Sequence, residues 1–182
     1  MRMQIALVGA GGQLGRELRQ RLGERVIALG HADIELTDAD SVEAALAASH
    51  PNLVINAAAY NLVDRAEEEP DIAFAVNALG PRNLAIACSA RDIPLLHVST
   101  DYVFSGKSST NSVETQQRLP YTETDCPDPL SEYGKSKLAG ERYVLSLCRR
   151  HFVVRTSGLY GPTTMPGRGN FVQTMLRLGR ER

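Results

Sequence analysis

The chain has 182 residues, 43% of them hydrophobic and 23% charged, with a formal net charge of −1. That length and balance suit one soluble domain with a full core. They offer no basic face for nucleic acid or an acidic membrane, and no apolar run approaches the ~20 residues of a membrane helix.

The opening Met1 to Val8 is too short, and too soon met by glycine, for a signal peptide. It reads as a first strand, apolar from Gln4 to Val8 and buried on both faces. Gly9, Gly12 and Gly15 follow as Gly-x-x-Gly-x-x-Gly, and Leu14, Leu18 and Leu22 then recur at helical spacing along a helix read over Arg16 to Leu22. Strand, glycine-rich turn and helix in that order suit a pyrophosphate. One glycine allows the turn, one admits the ligand to the backbone, and one lets helix and strand pack. The helix N-terminus turns its N–H groups to the phosphates.

Arg25 to Leu29 is a second strand, which in such folds ends near an adenosine ribose. The next acid, Asp33, stands beyond the strand end, and His31 tolerates a 2′-phosphate. The pair points to NADP, or to use of both dinucleotides. Thr37 to Ser41 offers caps for a helix over Val42 to Ala48. Leu53 to Asn56 is a third strand, running into Ala57, Ala58, Ala59 and Tyr60, small residues that let a cofactor lie close. After an acidic stretch from Asp64 to Glu69, Pro70 starts one long helical pattern through Ala90, with Phe74, Leu79, Leu84 and Ala87 on its apolar side. Asn77 inside it faces solvent, a water or a catalytic lysine.

Pro94 to Val98 is a fourth strand, delivering Ser99, Thr100, Asp101 and Tyr102 at its C-terminal end, where open α/β sheets bind ligands. Thr100 is placed there to hydrogen-bond a substrate carbonyl. Gly106 to Pro120 is a polar surface excursion. Tyr133 and Lys137 then stand four residues apart in a helical pattern running to about Arg150, so they share one face. An ammonium beside a phenol is expected to lower the phenol's pKa from ~10 toward neutrality and fit it for proton transfer. A fifth strand over Phe152 to Arg155 and a last helix over Asn170 to Arg180 complete the pattern. Cys88, Cys126 and Cys148 form no Cys-x-x-Cys pair, and the histidines have no ligand spacing, so no disulfide framework or metal is expected and the compartment is the reducing cytoplasm.

Strands alternating with helices imply an α/β class, a Rossmann-type doubly wound parallel sheet with helices on both faces. With no repeat and no linker, residues 1–182 read as a single NAD(P)-binding Rossmann domain.

The glycine turn, Asn56-Ala-Ala-Ala, Ser99-Thr-Asp-Tyr-Val-Phe104 and Tyr133-Gly-Lys-Ser-Lys137, in this order, resemble the extended short-chain dehydrogenase/reductases. The fuller motifs Ser99 to Gly106, Tyr133 to Glu141, Arg155-Thr-Ser and Gly169 to Leu178 resemble the dTDP-4-dehydrorhamnose reductase family over nearly the whole chain. The resemblance implies reduction, by NADPH or NADH, of the C4 ketone of dTDP-4-dehydro-L-rhamnose. Tyr133 is then the proton donor, Lys137 tunes it and holds the nicotinamide ribose, and Thr100 polarises the ketone. Asp101 and Gly158 lie by the sugar. Gly9, Gly12, Gln13, Leu14, Gly15, Glu35, Leu36, Ala57, Ala58 and Tyr60 line the cofactor.

Three departures stand out. Gly158 takes a place where the family often has tryptophan, the excursion near Ser108 to Arg118 is long, and the family runs to greater length. The expectation is a cofactor site whose substrate pocket is open on one side, weak turnover, and exposed apolar surface that drives self-association. Relatives that use magnesium do so through a glutamate at the place of Glu17, with further ligands outside this stretch. The partners expected are the dTDP-sugar and, for assembly, a second copy in a homodimer, with no nucleic acid and no membrane. Two other readings fit the motifs: a non-enzymatic cofactor-binding regulatory subunit, and a sugar-nucleotide epimerase or dehydratase.

Overall fold

The computed structural model describes residues 3–107, 120–161 and 171–181. Residues 108–119 of the excursion expected over Gly106 to Pro120, and residues 162–170, lie outside them. In chain order the elements are β1 (Ile5–Val8), α1 (Gln13–Leu22), β2 (Val26–Leu29), α2 (Ala39–Ser49), β3 (Leu53–Asn56), α3 (Val63–Ala66), α4 (Pro70–Phe74), α5 (Gly80–Ala90), β4 (Leu95–Thr100), α6 (Glu132–Leu147), β5 (His151–Thr156) and α7 (Phe171–Arg180). The strands lie in the order β2-β1-β3-β4-β5. Every neighbouring pair is parallel. The fold is the expected Rossmann-type α/β sheet.

Parallel strands need both faces covered, which is why β1 is apolar at every position. Ala6, Val8, Val54 and Leu95 meet Val42 and Leu46 of α2, Leu84 and Cys88 of α5, and Val144 of α6 on one face. Ile5, Leu7 and Ile55 meet Leu18 and Leu22 of α1 on the other. The chain leaves β1 for β2 on one side and reaches β3 on the other. That reversal opens a crevice at the C-terminal ends of β1 and β3.

The pattern from Pro70 to Ala90 is not one uninterrupted α-helix. Ala75–Leu79 forms a π-turn between α4 and α5. Pro81 explains it: proline has no N–H to give to the carbonyl of Asn77, four residues back. The extra residue of the wider turn rotates Leu79 outward, to 45% exposure, away from the core side expected of it. Helix α6 passes over this turn at Gly140, where any Cβ would collide with the carbonyl oxygen of Asn77. A proline in one helix and a glycine in another thus fix one close crossing. Cys88 and Cys148 are buried, and burial pushes the Cys88 thiol up to about 12.

Candidate active site

The first wall of the crevice is the turn after β1. Gly9 has φ +79°, and a Cβ there would lie 2.6 Å from the Ala58 nitrogen and 2.8 Å from the Ala57 carbonyl carbon. Gly15 is buried against Gly9 and Ala10, with no room for a side chain. These two glycines pack the turn against β3 and α1. Gly11 and Gly12 differ. A Cβ on Gly11 meets nothing within 4 Å, and one on Gly12 meets only the Gly9 carbonyl at 3.4 Å. Gly12 caps α1 with no side-chain hydrogen bond, and no acid stands in the first turn. Open space beside Gly11 and Gly12 thus adjoins the uncapped N-terminus of a ten-residue helix, which fits a phosphate.

The second wall is the end of β3. The Asn56 Oδ1 accepts from the Ala58 N–H at 3.1 Å, and the Ala57 N–H donates to the Val8 carbonyl at 3.0 Å. Ala57 and Ala58 are thereby pinned beside Gly9. Tyr60 follows, its hydroxyl donating to Glu69 at 2.8 Å. Asn77 grips this segment. Its Oδ1 accepts from the Tyr60 N–H, and its Nδ2 donates to the Tyr60 carbonyl, both at 2.9 Å, and to Ser136 Oγ at 3.0 Å. Asn77 is buried, so it does not face solvent, and its amide bonds Tyr60 and Ser136 rather than Lys137.

At the end of β2 the structure corrects another expectation. Asp33 stands beyond the strand in sequence, yet the turn folds its Oδ2 back to accept from the Gly30 N–H at 2.8 Å. An acid does sit at the strand end. Glu35 is exposed, and its carboxylate accepts from the Thr37 N–H and hydroxyl, which hold it below the usual carboxylate range. Leu36 is buried in the core beside Gly80, so its side chain is unavailable to a ligand. Gln13, in the first turn of α1, donates to the Leu159 carbonyl at 3.2 Å and joins the cradle to the segment after β5. Leu14 is half-buried beside it.

The third wall carries the chemistry. β4 runs two residues past Val98, to Thr100, and a short turn at Asp101–Val103 follows. Ser131 caps α6 by accepting from the Gly134 N–H at 3.0 Å. Gly134 lies so close to the Tyr102 carbonyl that a Cβ would collide with it, which brings Tyr133 onto the Thr100 turn. The Thr100 hydroxyl stands by the Tyr133 phenol, and the Tyr102 ring meets the Tyr133 ring edge-on at 5.6 Å. Thr100 also donates to Asp101 Oδ1 at 3.2 Å, and Ser157 donates to Asp101 Oδ2 at 2.7 Å. Lys137 is 2% exposed, with Nζ donating to the Val98 carbonyl at 2.8 Å.

The expected lowering of the Tyr133 pKa is not met. Burial raises it, and the nearby Asp101 and Tyr102 add to the rise, while the neighbouring Thr100 hydroxyl works the other way. Lys137 turns its ammonium to the strand carbonyl, and burial brings its own pKa down to about 8 against the support of Glu141. The phenol is thus protonated at neutral pH, the form a proton donor needs.

Gly158 is exposed with φ +53°, and a Cβ there would meet nothing within 4 Å. Glu17 lies near Gly161. Among the described residues, no group of three or more His, Cys, Asp or Glu could hold a metal, and no helix is long and apolar enough to cross a membrane. The sequence reading missed the roles of Asp33 and Ser157. Asx-type turn spacing signals the first, and nothing local signals the second.

Comparison with known proteins agrees with this geometry. The family described as RmlD substrate binding domain matches residues 3–182. The chain is 42% identical to the dTDP-4-dehydrorhamnose reductase of Aggregatibacter actinomycetemcomitans, over 98% of this chain and 58% of that one. It is 43% identical to that of Mycolicibacterium smegmatis, over 98% and 51%. Among solved structures, the dTDP-4-dehydrorhamnose reductase of Bacillus anthracis, in complex with NADP, matches with a TM-score of 0.88 at 37% identity, covering 100% of this chain and 61% of that chain. The chain spans little more than half the length of the curated relatives it matches.

Proposed function

The chain belongs to the RmlD substrate binding domain family, and we propose that its crevice serves the NAD(P)H-dependent reduction of the C4 ketone of dTDP-4-dehydro-L-rhamnose to dTDP-L-rhamnose. The observation that carries this reading is the meeting of Thr100, at the end of β4, and Tyr133, in the first turn of α6, beside a buried Lys137. It sets a neutral phenol and a hydroxyl donor at one strand end, across a crevice from a phosphate cradle.

The residues fit a nicotinamide dinucleotide. Gly11 and Gly12, with the N-terminus of α1, hold the pyrophosphate, while Gly9 and Gly15 shape the turn. Ala57 and Ala58 leave room beside it, and Lys137 takes the nicotinamide ribose. At the adenosine end, Asp33 disfavours a 2′-phosphate and the exposed His31 favours one. We assign use of both NADH and NADPH to this pair. When bound, the cofactor supplies a hydride to the C4 carbon. Thr100 hydrogen-bonds the ketone oxygen, and the Tyr133 phenol gives that oxygen its proton, leaving a phenolate that the Lys137 ammonium steadies. Asp101, fixed by Thr100 and Ser157, stands next to the sugar, and the missing side chain at Gly158 widens the sugar subsite.

Replacing Tyr133 with phenylalanine tests the assignment. Reduction is expected to fall by about 10²–10⁴-fold, with cofactor affinity nearly unchanged. Reduction by Tyr133→Phe at the parent rate would overturn it. Loss of cofactor binding alone would point to a structural role for the phenol.

A further inference from the structure

Helix α6 carries Tyr133, Lys137 and Glu141 at successive i, i+4 positions, so one face holds all three. The roles proposed above use the first two and leave Glu141 unexplained. Its side chain is 1% exposed, buried as deeply as Lys137. Arg155 on β5 reaches it with a fork. Nε donates to Oε1 at 3.0 Å and to Oε2 at 3.3 Å, and Nη2 donates to Oε2 at 2.7 Å. The same guanidinium lies 4.9 Å over the Phe104 ring, and Phe104 stacks on Tyr121 at 4.2 Å. Phe104 closes the segment that carries Thr100 and Asp101. One arginine therefore touches both the helix of Tyr133 and Lys137 and the turn of Thr100.

Stability alone is a poor reason for such a pair. A buried ion pair seldom outperforms an apolar pair of equal volume, because removing two charges from water is costly. The pair is better explained by what lies one helical turn away, a buried ammonium that needs a compensating charge. We infer that Glu141, held by Arg155, is a positioning residue that keeps Lys137 in its charged form at the reaction site. Arg155 also locks that helix face to the Thr100–Phe104 turn. This inference rests on the reductase reading for its purpose, though not for its test.

The groups around Lys137 support the assignment. Burial brings the Lys137 pKa down to about 8, and Glu141, one turn away on the same helix face, is the charge that favours the ammonium. On β4, His97 is buried and kept well below its ordinary value by burial and by Lys137 itself, so it is neutral and gives no compensation. Tyr133 on the same helix is also neutral. Asn77 and Ser136 alongside are uncharged and bonded to each other. Arg155 stands behind Glu141.

The chain has three lysines, Lys107, Lys135 and Lys137, so the side-chain ¹³Cε resonances can be assigned and titrated individually by NMR in the cofactor-free protein. Glu141→Gln is expected to lower the Lys137 midpoint by about one unit, a tenfold loss of proton affinity, with Lys107 and Lys135 unmoved. Glu141→Asp, which keeps the charge and draws it back by one methylene, is expected to give a smaller fall. It also serves should the glutamine variant not fold. A Lys137 midpoint equal to the parent's in whichever folded variant is measured would overturn the inference. Because no cofactor is present, failure of the reductase reading is seen separately. A parent chain that binds neither NADH nor NADPH sinks that reading and leaves the Glu141 effect standing.

Discussion

Lys137 shows what one buried side chain costs and why the cost is carried. Burial lowers its pKa from an ordinary 10.5 to about 8. Below about pH 8 both folded and unfolded chains hold the proton, and the full penalty of a buried ammonium opposes folding. Between about 8 and 10.5 the unfolded chain binds more protons than the folded one, so stability rises with pH across that window. The rise approaches about 3 kcal/mol. Burial raises Cys88 and Tyr133 as well, and their thiol and phenol act in the opposite sense at high pH. The useful quantity is therefore the difference between the parent and Lys137→Met, measured by urea unfolding near pH 7.5 and 10. That difference should favour Lys137→Met at the lower pH and shrink at the higher. A difference independent of pH would mean that Lys137 is not buried as an ammonium.

At the scale of elements, two glycines decide how α6 sits. Gly134 admits the Tyr102 carbonyl, and Gly140 admits the Asn77 carbonyl freed by Pro81. Gly140→Ala must push apart two packed helices. We expect a loss of about 3 kcal/mol in urea unfolding. Gly11→Ala, with open space around it, should stay within about 0.5 kcal/mol of the parent. Equal losses at the two sites would contradict the packing account. The sequence carried the strands and most helices plainly, because a parallel sheet demands apolar runs and because the glycine turn has few physical uses. Tyr133, Lys137 and Thr100 were legible through spacing and strand-end position. The π-turn was not read, although Pro81 signals it, because the apolar Leu79 fits a 3.6-residue period that the inserted residue in fact breaks. The Asp33 carboxylate at the end of β2 was missed because a turn returns it to Gly30, and linear spacing cannot register that. The rise in the Tyr133 pKa followed from burial, which depends on the whole fold and not on the Tyr-x-x-x-Lys spacing.

The whole molecule presents apolar side chains that a sheet of this kind ordinarily covers. Phe152 and Val154 on β5 are 62% and 40% exposed, and Phe171, Val172, Met175, Leu176 and Leu178 on α7 are exposed as well. Surface of this kind drives association. Sedimentation velocity over a tenfold concentration range should show the sedimentation coefficient increasing with concentration. A single monomeric species throughout would contradict that expectation. The central claim, however, concerns the crevice. The most direct test is a titration of the chain with NADPH and with NADH, followed by nicotinamide fluorescence, with dTDP-4-dehydrorhamnose added at saturation to watch the nicotinamide absorbance. The account predicts saturable binding of both dinucleotides. A decline in absorbance on adding the sugar would show that these residues suffice for turnover, and steady absorbance would place the missing part of the substrate pocket outside them. A folded chain that binds neither cofactor would contradict the account and return the glycine turn to a purely structural role.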